Sequence, residues 1–308
     1  MKPTENEEFR MSSITVTAVG SPCILGEGPF WDAETQVLYY VDILGQEVRR
    51  YNHKTRKETF IKIDAGQPTF VLPIKGEKNK LLISMTRKLA VVTWDGESPA
   101  PDSVQVVGSV EEDRPRNRFN DGKADPSGTL WAGTMGVEIS PGVFPKDAGA
   151  FYSFMDLKSP MKHFGNVGVG IEWVGVDERY EDNVLHRYRD VQANRRTVID
   201  FKVKAPDVRP DGMTIDADGK LWVANVIGSK IIRVDPSSGT IMQEVAVPSR
   251  RVTSVTFGGP DLDELYVTTT KVNVSQEDLK KWPQSGSTFL VTGLGVKGYA
   301  GDRVVLSY

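Results

Sequence analysis

The chain has 308 residues, with 38 Lys and Arg against 41 Asp and Glu for a net charge of −3. It carries no basic stripe, which argues against a dedicated nucleic-acid binder. One cysteine, Cys23, excludes an internal disulfide framework, and the scattered His53, His163 and His186 exclude a zinc finger.

In chain order, the polar, acidic start through residue 13 is expected to be a disordered extension, and residues 14–308 one domain. No apolar signal segment and no membrane-length apolar run occurs, so a cytoplasmic protein without a membrane partner is expected. From there short β-branched and aromatic runs alternate with turn clusters, and the chain reads as strands nearly throughout. Hairpin units of polar turn followed by aliphatic-aromatic strand stand at Asp32 to Val41, Asp125 to Gly133, Asp216 to Ala224 and Gly259 to Thr268. A further copy lies at Lys80-Leu-Leu-Ile-Ser84. Two stretches read differently: the irregular Glu111 to Arg118 and a short helical candidate at Ser275 to Trp282.

The anchoring leucines Leu38, Leu82, Leu130, Leu221 and Leu265 are separated by 44, 48, 91 and 44 residues. The 91 reads as two periods with an anchor missing near 175, where Val174 to Asn183 is a charged stretch without an aliphatic-aromatic strand. Six units of about 45 residues have the blade length of a four-stranded propeller repeat. The expected fold is therefore an all-β, six-bladed β-propeller with an incomplete fourth blade. A stacked two-sheet sandwich is the competing reading, and it does not require a regular period.

Ten or eleven residues before the anchors, acceptors precede glycine: Glu27-Gly28, Asn120-Asp121-Gly122 and Asp211-Gly212. Any one of these alone reads as a turn. Repeated at one point of several blades, they converge on the central channel, and oxygen donors gathered there suit a hard cation. Cys23 reads as a small packed residue, and Trp31, Trp131, Trp173 and Trp222 read as core. Gly293-Leu-Gly-Val-Lys-Gly298 matches a dinucleotide fingerprint but no helix follows it, and Asp216-Ala-Asp-Gly219 lacks the remainder of an EF-hand.

Six segments carry a resemblance: Leu25-Gly-Glu-Gly-Pro-Phe-Trp31, Arg118-Phe-Asn-Asp-Gly-Lys-Ala-Asp-Pro-Ser-Gly128, Gly133-Thr-Met135, Pro210-Asp-Gly-Met-Thr-Ile-Asp216, Phe257-Gly-Gly-Pro260 and Thr292-Gly-Leu-Gly-Val-Lys-Gly298. In this order they resemble the regucalcin (senescence marker protein), gluconolactonase and luciferin-regenerating enzyme family. The resemblance implies a six-bladed propeller holding one divalent cation (Ca, Zn, Mn or Mg) and, in many members, hydrolysis of sugar lactones. It implies Glu27 and Asp211 as metal ligands, Asp211 also as the catalytic base, and Arg118, Asn120 and Glu138 near the substrate. The implied partner is a small-molecule lactone, and a monomer is expected. The alternatives are a non-enzymatic calcium-binding regulatory protein or a luciferin-regenerating type of enzyme. The pattern departs at Val169, which stands where the family carries an asparagine ligand; a valine cannot bind a cation, and Asn166 is the candidate substitute. Weak metal binding and low lactonase activity are the expected consequence.

Overall fold

A computed structural model describes residues 13–140, 145, 148–155, 157, 161–167 and 198–306. The chain enters it in β1 (Thr15–Val19), whose partner comes from the far end of the sequence. Antiparallel sheets then follow one another. The first holds β2 (Gly26–Asp32), β3 (Val37–Asp42), β4 (Glu47–Asn52) and β5 (Lys57–Lys62), and the second β6 (Val71–Pro73), β7 (Lys80–Met85), β8 (Lys88–Thr93) and β9 (Ser103–Ser109). The third holds β10 (Arg118–Ala124), β11 (Leu130–Met135), β12 (Gly149–Phe154) and β13 (Met161–Val167). After a one-turn helix α1 (Phe201–Lys204), the fourth holds β14 (Pro210–Ile215), β15 (Leu221–Asn225), β16 (Lys230–Asp235) and β17 (Thr240–Ala246). The last holds β18 (Arg251–Gly258), β19 (Glu264–Thr270) and β20 (Thr288–Thr292), and β1 completes it as the outermost strand. Between β19 and β20 lies α2 (Gln276–Lys281), capped by the Ser275 hydroxyl, which accepts from the Asp278 amide at 3.0 Å. This helix falls where the sequence reading placed it, whereas Glu111 to Arg118 forms turns without a helix.

The described residues thus form an all-β propeller of five four-stranded blades in a ring. This corrects the expected six. Each of the five leucine anchors lies in the second strand of its own sheet. The sixth repeat rests on reading the 91-residue step between Leu130 and Leu221 as two periods with an anchor missing near 175. A period measures length only, whereas a blade requires a paired sheet. The expected incomplete fourth blade falls on residues 168–197, outside the described residues, and residues 1–12 lie outside them as well.

Two repeated residues explain the hairpins. Asp125 Oδ1 accepts from the Thr129 amide at 2.9 Å and its Oδ2 from the Trp131 indole at 2.8 Å. Asp216 does the same with the Lys220 amide and the Trp222 indole, both at 2.9 Å. One carboxylate therefore shapes the turn and pins the tryptophan of the following strand, which identifies Asp216 as a turn residue rather than a calcium loop. Trp31 and Trp222 are fully buried and Trp131 nearly so, while Trp173 lies outside the described residues.

Past β20 the chain crosses beneath four of the sheets. The Lys297 carbonyl accepts from the Ala217 amide at 2.7 Å, Asp302 bridges to Ala124, Val304 to Ile74, and Arg303 Nη2 meets both carboxylate oxygens of Asp32 at 2.7 and 2.8 Å. This strap adds to the polar contacts that already join neighbouring blades, such as Thr253 Oγ1 to the Gly26 carbonyl at 2.6 Å and the Phe119 amide to the Thr86 carbonyl at 2.7 Å. Arg303→Ala is expected to cost about 2 kcal/mol, because the nearly buried Asp32 loses the guanidinium nitrogen that reaches both its oxygens. Arg303→Lys should recover only part of that, since an ammonium cannot span Asp32 and Glu34 as Nη2 and Nη1 do. Urea midpoints of the three chains measure the ordering.

Candidate active site in the channel

One register defines the site. Gly26, Phe119, Pro210 and Val252 on β2, β10, β14 and β18 pair with Asp42, Thr134, Asn225 and Thr269. Each partner lies four residues past its leucine anchor. Trp31, Ala124, Ile215 and Phe257 pair with the anchors themselves. Five steps on the inner strand thus span four on its neighbour, so every one of these inner strands carries a one-residue bulge. In β10, β14 and β18 it opens at Asn120, Asp211 and Thr253; in β2 Glu27 still pairs with Val41 and the bulge follows it, before Phe30. A bulge re-aims side chains that a regular pleat would point alternately up and down. The inner strands touch in turn around the ring, β2 with β6 and β18, β6 with β10, and β14 with β18, while Lys123 Nζ of β10 reaches the Met213 carbonyl of β14 at 3.0 Å.

Close approach of these strands accounts for the neighbouring glycines. A Cβ on Gly212 would lie 2.1 Å from Ser254 Oγ and 2.9 Å from Ser254 Cα.

The partners of the bulge also hold the incoming chain. Asp42 accepts from the Ile24 and Leu25 amides at 2.7 and 3.0 Å, ahead of Glu27. Asn225 accepts from the Arg209 amide at 2.9 Å and donates to the Asp207 carbonyl at 3.0 Å, ahead of Asp211. Thr134 donates to Glu111 at 2.7 Å, and Glu111 also accepts from Asn117 Nδ2 at 2.7 Å and Tyr152 OH at 3.1 Å, which sets the turn before Arg118.

Burial pushes the Glu27 carboxyl well above the ordinary range, and Asp211 and then Asp121 push it further; the Gly28 amide and Arg118 oppose them. Burial lowers the Arg118 guanidinium, which faces Glu27, Asp211 and Glu138. Arg118 Nη1 donates to its neighbour's carbonyl, that of Phe119, at 2.8 Å. Asn120 is half-buried and makes no side-chain hydrogen bond with a described residue, so its amide is available to a ligand. Glu138 is exposed beyond the end of β11, within electrostatic reach of Arg118 and Arg251. Toward the other end of the inner strands the channel continues as a cavity of about 130 Å³ lined by Asp121, Lys123, Thr214, Ser254 and Thr256, and Tyr299 to Asp302 of the strap close it.

The structure therefore brings Glu27, Arg118, Asn120 and Asp211 together and places Glu138 at their edge. Val169 lies outside the described residues; Asn166 lies on β13. Sequence reasoning placed Asp121 in the repeated acceptor register without giving it a role, and the structure has it facing Glu27; Arg209 and Arg251 were missed. The signal for those two was present, since Arg118, Arg209 and Arg251 each stand two residues before the residue that opens a bulge. Cys23 is buried with its thiol pushed far up by that burial, so it stays protonated and inert, as a packed residue should.

Carboxylates that raise one another's proton affinity fit a cation, which relieves the same repulsion a proton would. Glu27 and Asp211 could offer two carboxylate oxygen donors and Asn120 a neutral one, the chemistry a hard divalent ion takes. Among the described residues no three acidic, histidine or cysteine side chains gather closely enough to hold an ion by themselves, so a cation here would need amide or water oxygens as well.

A pH dependence follows. Glu27 and Asp121 both have raised folded-state values, so the folded chain binds more protons than the unfolded one between the ordinary carboxylate range and those raised values. Their contribution is most favourable below the ordinary range and is lost as pH rises through the raised values. In chelator, the melting temperature is expected to increase on going from pH 7.5 toward 5.5, and saturating Ca²⁺ or Mn²⁺ should flatten that increase. Asp95 and Asp235, held at about 2, act only in more acidic solution. A melting temperature that fell over this interval in chelator would contradict the assignment.

A ring of antiparallel sheets whose inner strands direct carboxylates, an amide and an arginine into one channel defines a β-propeller of the kind that builds its site from widely spaced repeats. The chain belongs to the SMP-30/Gluconolactonase/LRE-like family, whose model matches residues 25–166 and 186–271. It is 36% identical to regucalcin of Xenopus laevis over 94% of this chain and 98% of that protein. Among solved structures it is similar to a luciferin-regenerating enzyme, with 35% identity, a TM-score of 0.84, and coverage of 96% of this chain and all of the other. A regucalcin of Agrobacterium tumefaciens described as calcium-binding shares the fold, with 24% identity, a TM-score of 0.76 and coverage of 94% and 95%. Among the described residues no helix is long and apolar enough to cross a membrane.

Proposed function

We propose that this chain is a divalent-cation-dependent hydrolase of sugar-type lactones. The observation that carries the reading is the register of three inner strands, on which Glu27, Asn120 and Asp211 each follow by one residue the equivalent pairs Gly26–Asp42, Phe119–Thr134 and Pro210–Asn225, beside a bulge. Membership of a family that includes gluconolactonases supports it.

Glu27 and Asp211 would hold the cation, with Asn120 beside them. When bound, it supplies Lewis-acid polarisation of the lactone carbonyl and charge for the oxyanion. Asp211 takes the proton of the attacking water. Arg118 and Asn120 donate to sugar oxygens, and Glu138 accepts from hydroxyls at the rim. Burial, and then repulsion from Asp211 and Asp121, raises the proton affinity of Glu27, so a cation would replace a proton there.

The test is turnover of gluconolactone by the purified chain with Ca²⁺, Zn²⁺, Mn²⁺ or Mg²⁺ and with chelator. Metal-stimulated hydrolysis supports the enzyme. Cation binding without hydrolysis of any lactone supports the second reading, a calcium-binding regulatory protein, which the small set of carboxylates favours. By the family resemblance Val169 stands where an asparagine ligand is expected, so on that resemblance Val169→Asn is expected to tighten cation binding about tenfold or more. Calorimetric titration of both chains with Mn²⁺ checks this.

A further inference from the structure

Three arginines occupy one register around the channel rim. Arg118 pairs with Met135 and Arg251 with Thr270, and the Arg209 carbonyl accepts from the Val226 amide at 3.0 Å. Each partner is five residues past its leucine anchor, so the three arginines are equivalent positions on β10, on the residue entering β14, and on β18. Leu25 holds the same register before β2, its carbonyl accepting from the Ile43 amide at 2.9 Å. The cationic arc thus covers one part of the rim and an apolar residue another.

None of the three guanidinium groups forms an ion pair with a described residue. Arg251 is half-buried, and its Nε is shut off from solvent without a hydrogen-bond partner among the described residues. A buried donor left unpaired is costly, and here the cost is compounded by two neighbouring cations, Arg209 and Arg250. Arg250 is engaged elsewhere, with the Ile227 carbonyl and over the Trp282 ring. Glu27, Asp211 and Glu138 face Arg118, and Asp211 and Glu138 face Arg251. Once Glu27 and Asp211 hold a divalent ion, they offset the guanidinium charges less, and the arginines need another acceptor.

We propose that the ligand of this channel bears a carboxylate or phosphate group at one end, held at the rim by Arg118, Arg209 and Arg251. Its ring then reaches Glu27 and Asp211. The inference rests on the lactonase reading for the reacting ring and on the arginines for the anion, so the two can fail separately. Guanidinium pairs with both anions bidentately, and the arc offers more donors than a neutral sugar hydroxyl can accept.

The experiment uses the full chain loaded with Mn²⁺ and compares ring sugars that cannot be hydrolysed. Glucuronate and glucose 6-phosphate should bind in calorimetry at least about tenfold more tightly than glucose, and ionic strength near 0.5 M should reduce that difference. Whichever anion binds more tightly identifies the group. Arg209→Ala, an exposed position whose loss leaves the fold intact, should weaken the preferred anion about tenfold to a hundredfold, and Arg251→Lys should weaken it less. In parallel, a lactone bearing the same anion should exceed gluconolactone in kcat/KM, and Arg209→Ala should remove the advantage. Anion preference without turnover of any lactone sustains this inference and overturns the lactonase. Turnover of neutral and anionic lactones with equal kcat/KM, equal binding of glucose and the anions, absence of binding by both anions, or an Arg209→Ala chain that binds them as the parent does, each overturns it.

Discussion

On the proposed lactonase reading, Asp211→Ala is expected to lower metal-stimulated lactone hydrolysis by about 10³-fold or more, because it would remove a cation ligand and the base for the attacking water together. On that reading no other position combines the two. Asp211 opens the bulge of β14, its neighbour Gly212 is packed against Ser254, and its charge is felt by Glu27, Arg118 and Arg251. Asp211→Asn separates the roles: the amide oxygen can still bind a cation weakly, but it cannot take a proton, so cation binding should recover in part while turnover should not. Titration with Mn²⁺ alongside kcat measured at saturating cation makes the comparison. An Asp211→Ala chain with near-normal hydrolysis would remove Asp211 from the mechanism.

Gly28→Ala should be nearly as damaging, through structure rather than chemistry. Gly28 has a φ of +54°, and a Cβ there would lie 2.8 Å from the Thr69 carbonyl oxygen and 3.1 Å from Phe70 Cα, both backbone atoms of the next blade. The left-handed conformation costs an L residue about 1–2 kcal/mol, and backbone atoms cannot rotate away as a side-chain tip can. Relief requires β2 to move outward, which carries the adjacent Glu27 with it. The melting temperature is expected to fall by about 5 °C or more. Turnover is expected to fall about 10²-fold, the consequence of a displacement near 1 Å at a reacting centre. Gly76, whose Cβ would meet nothing within 4 Å although its φ is also positive, is the control: Gly76→Ala should bear the conformational cost without the loss of turnover.

The sequence by itself determined the repeat, the strands within it and the candidate ligands. Leu38, Leu82, Leu130, Leu221 and Leu265 mark the second strand of each described sheet because a leucine opening an apolar strand after a polar turn is buried wherever that unit folds. Asp125 and Asp216 announce their hairpins through local hydrogen bonds that need no distant partner. Glu27, Asn120 and Asp211 were legible for the same reason, since repeat equivalence is a property of spacing. Only the tertiary structure decided what meets across that spacing. The blade count depended on which stretches make a sheet, and the 91-residue step between Leu130 and Leu221 read as two blades by length. Closure by β1 against β20 joins residues 277 apart, as between Thr15 and Thr292, and no local pattern encodes such a pairing. The bulge that aims the ligands is a mismatch between two strands, so it exists only once both are paired. Arg209 and Arg251 look like ordinary surface arginines along the chain. They become a rim because strands distant in sequence share one register around an axis, and charges interact through space rather than along the backbone.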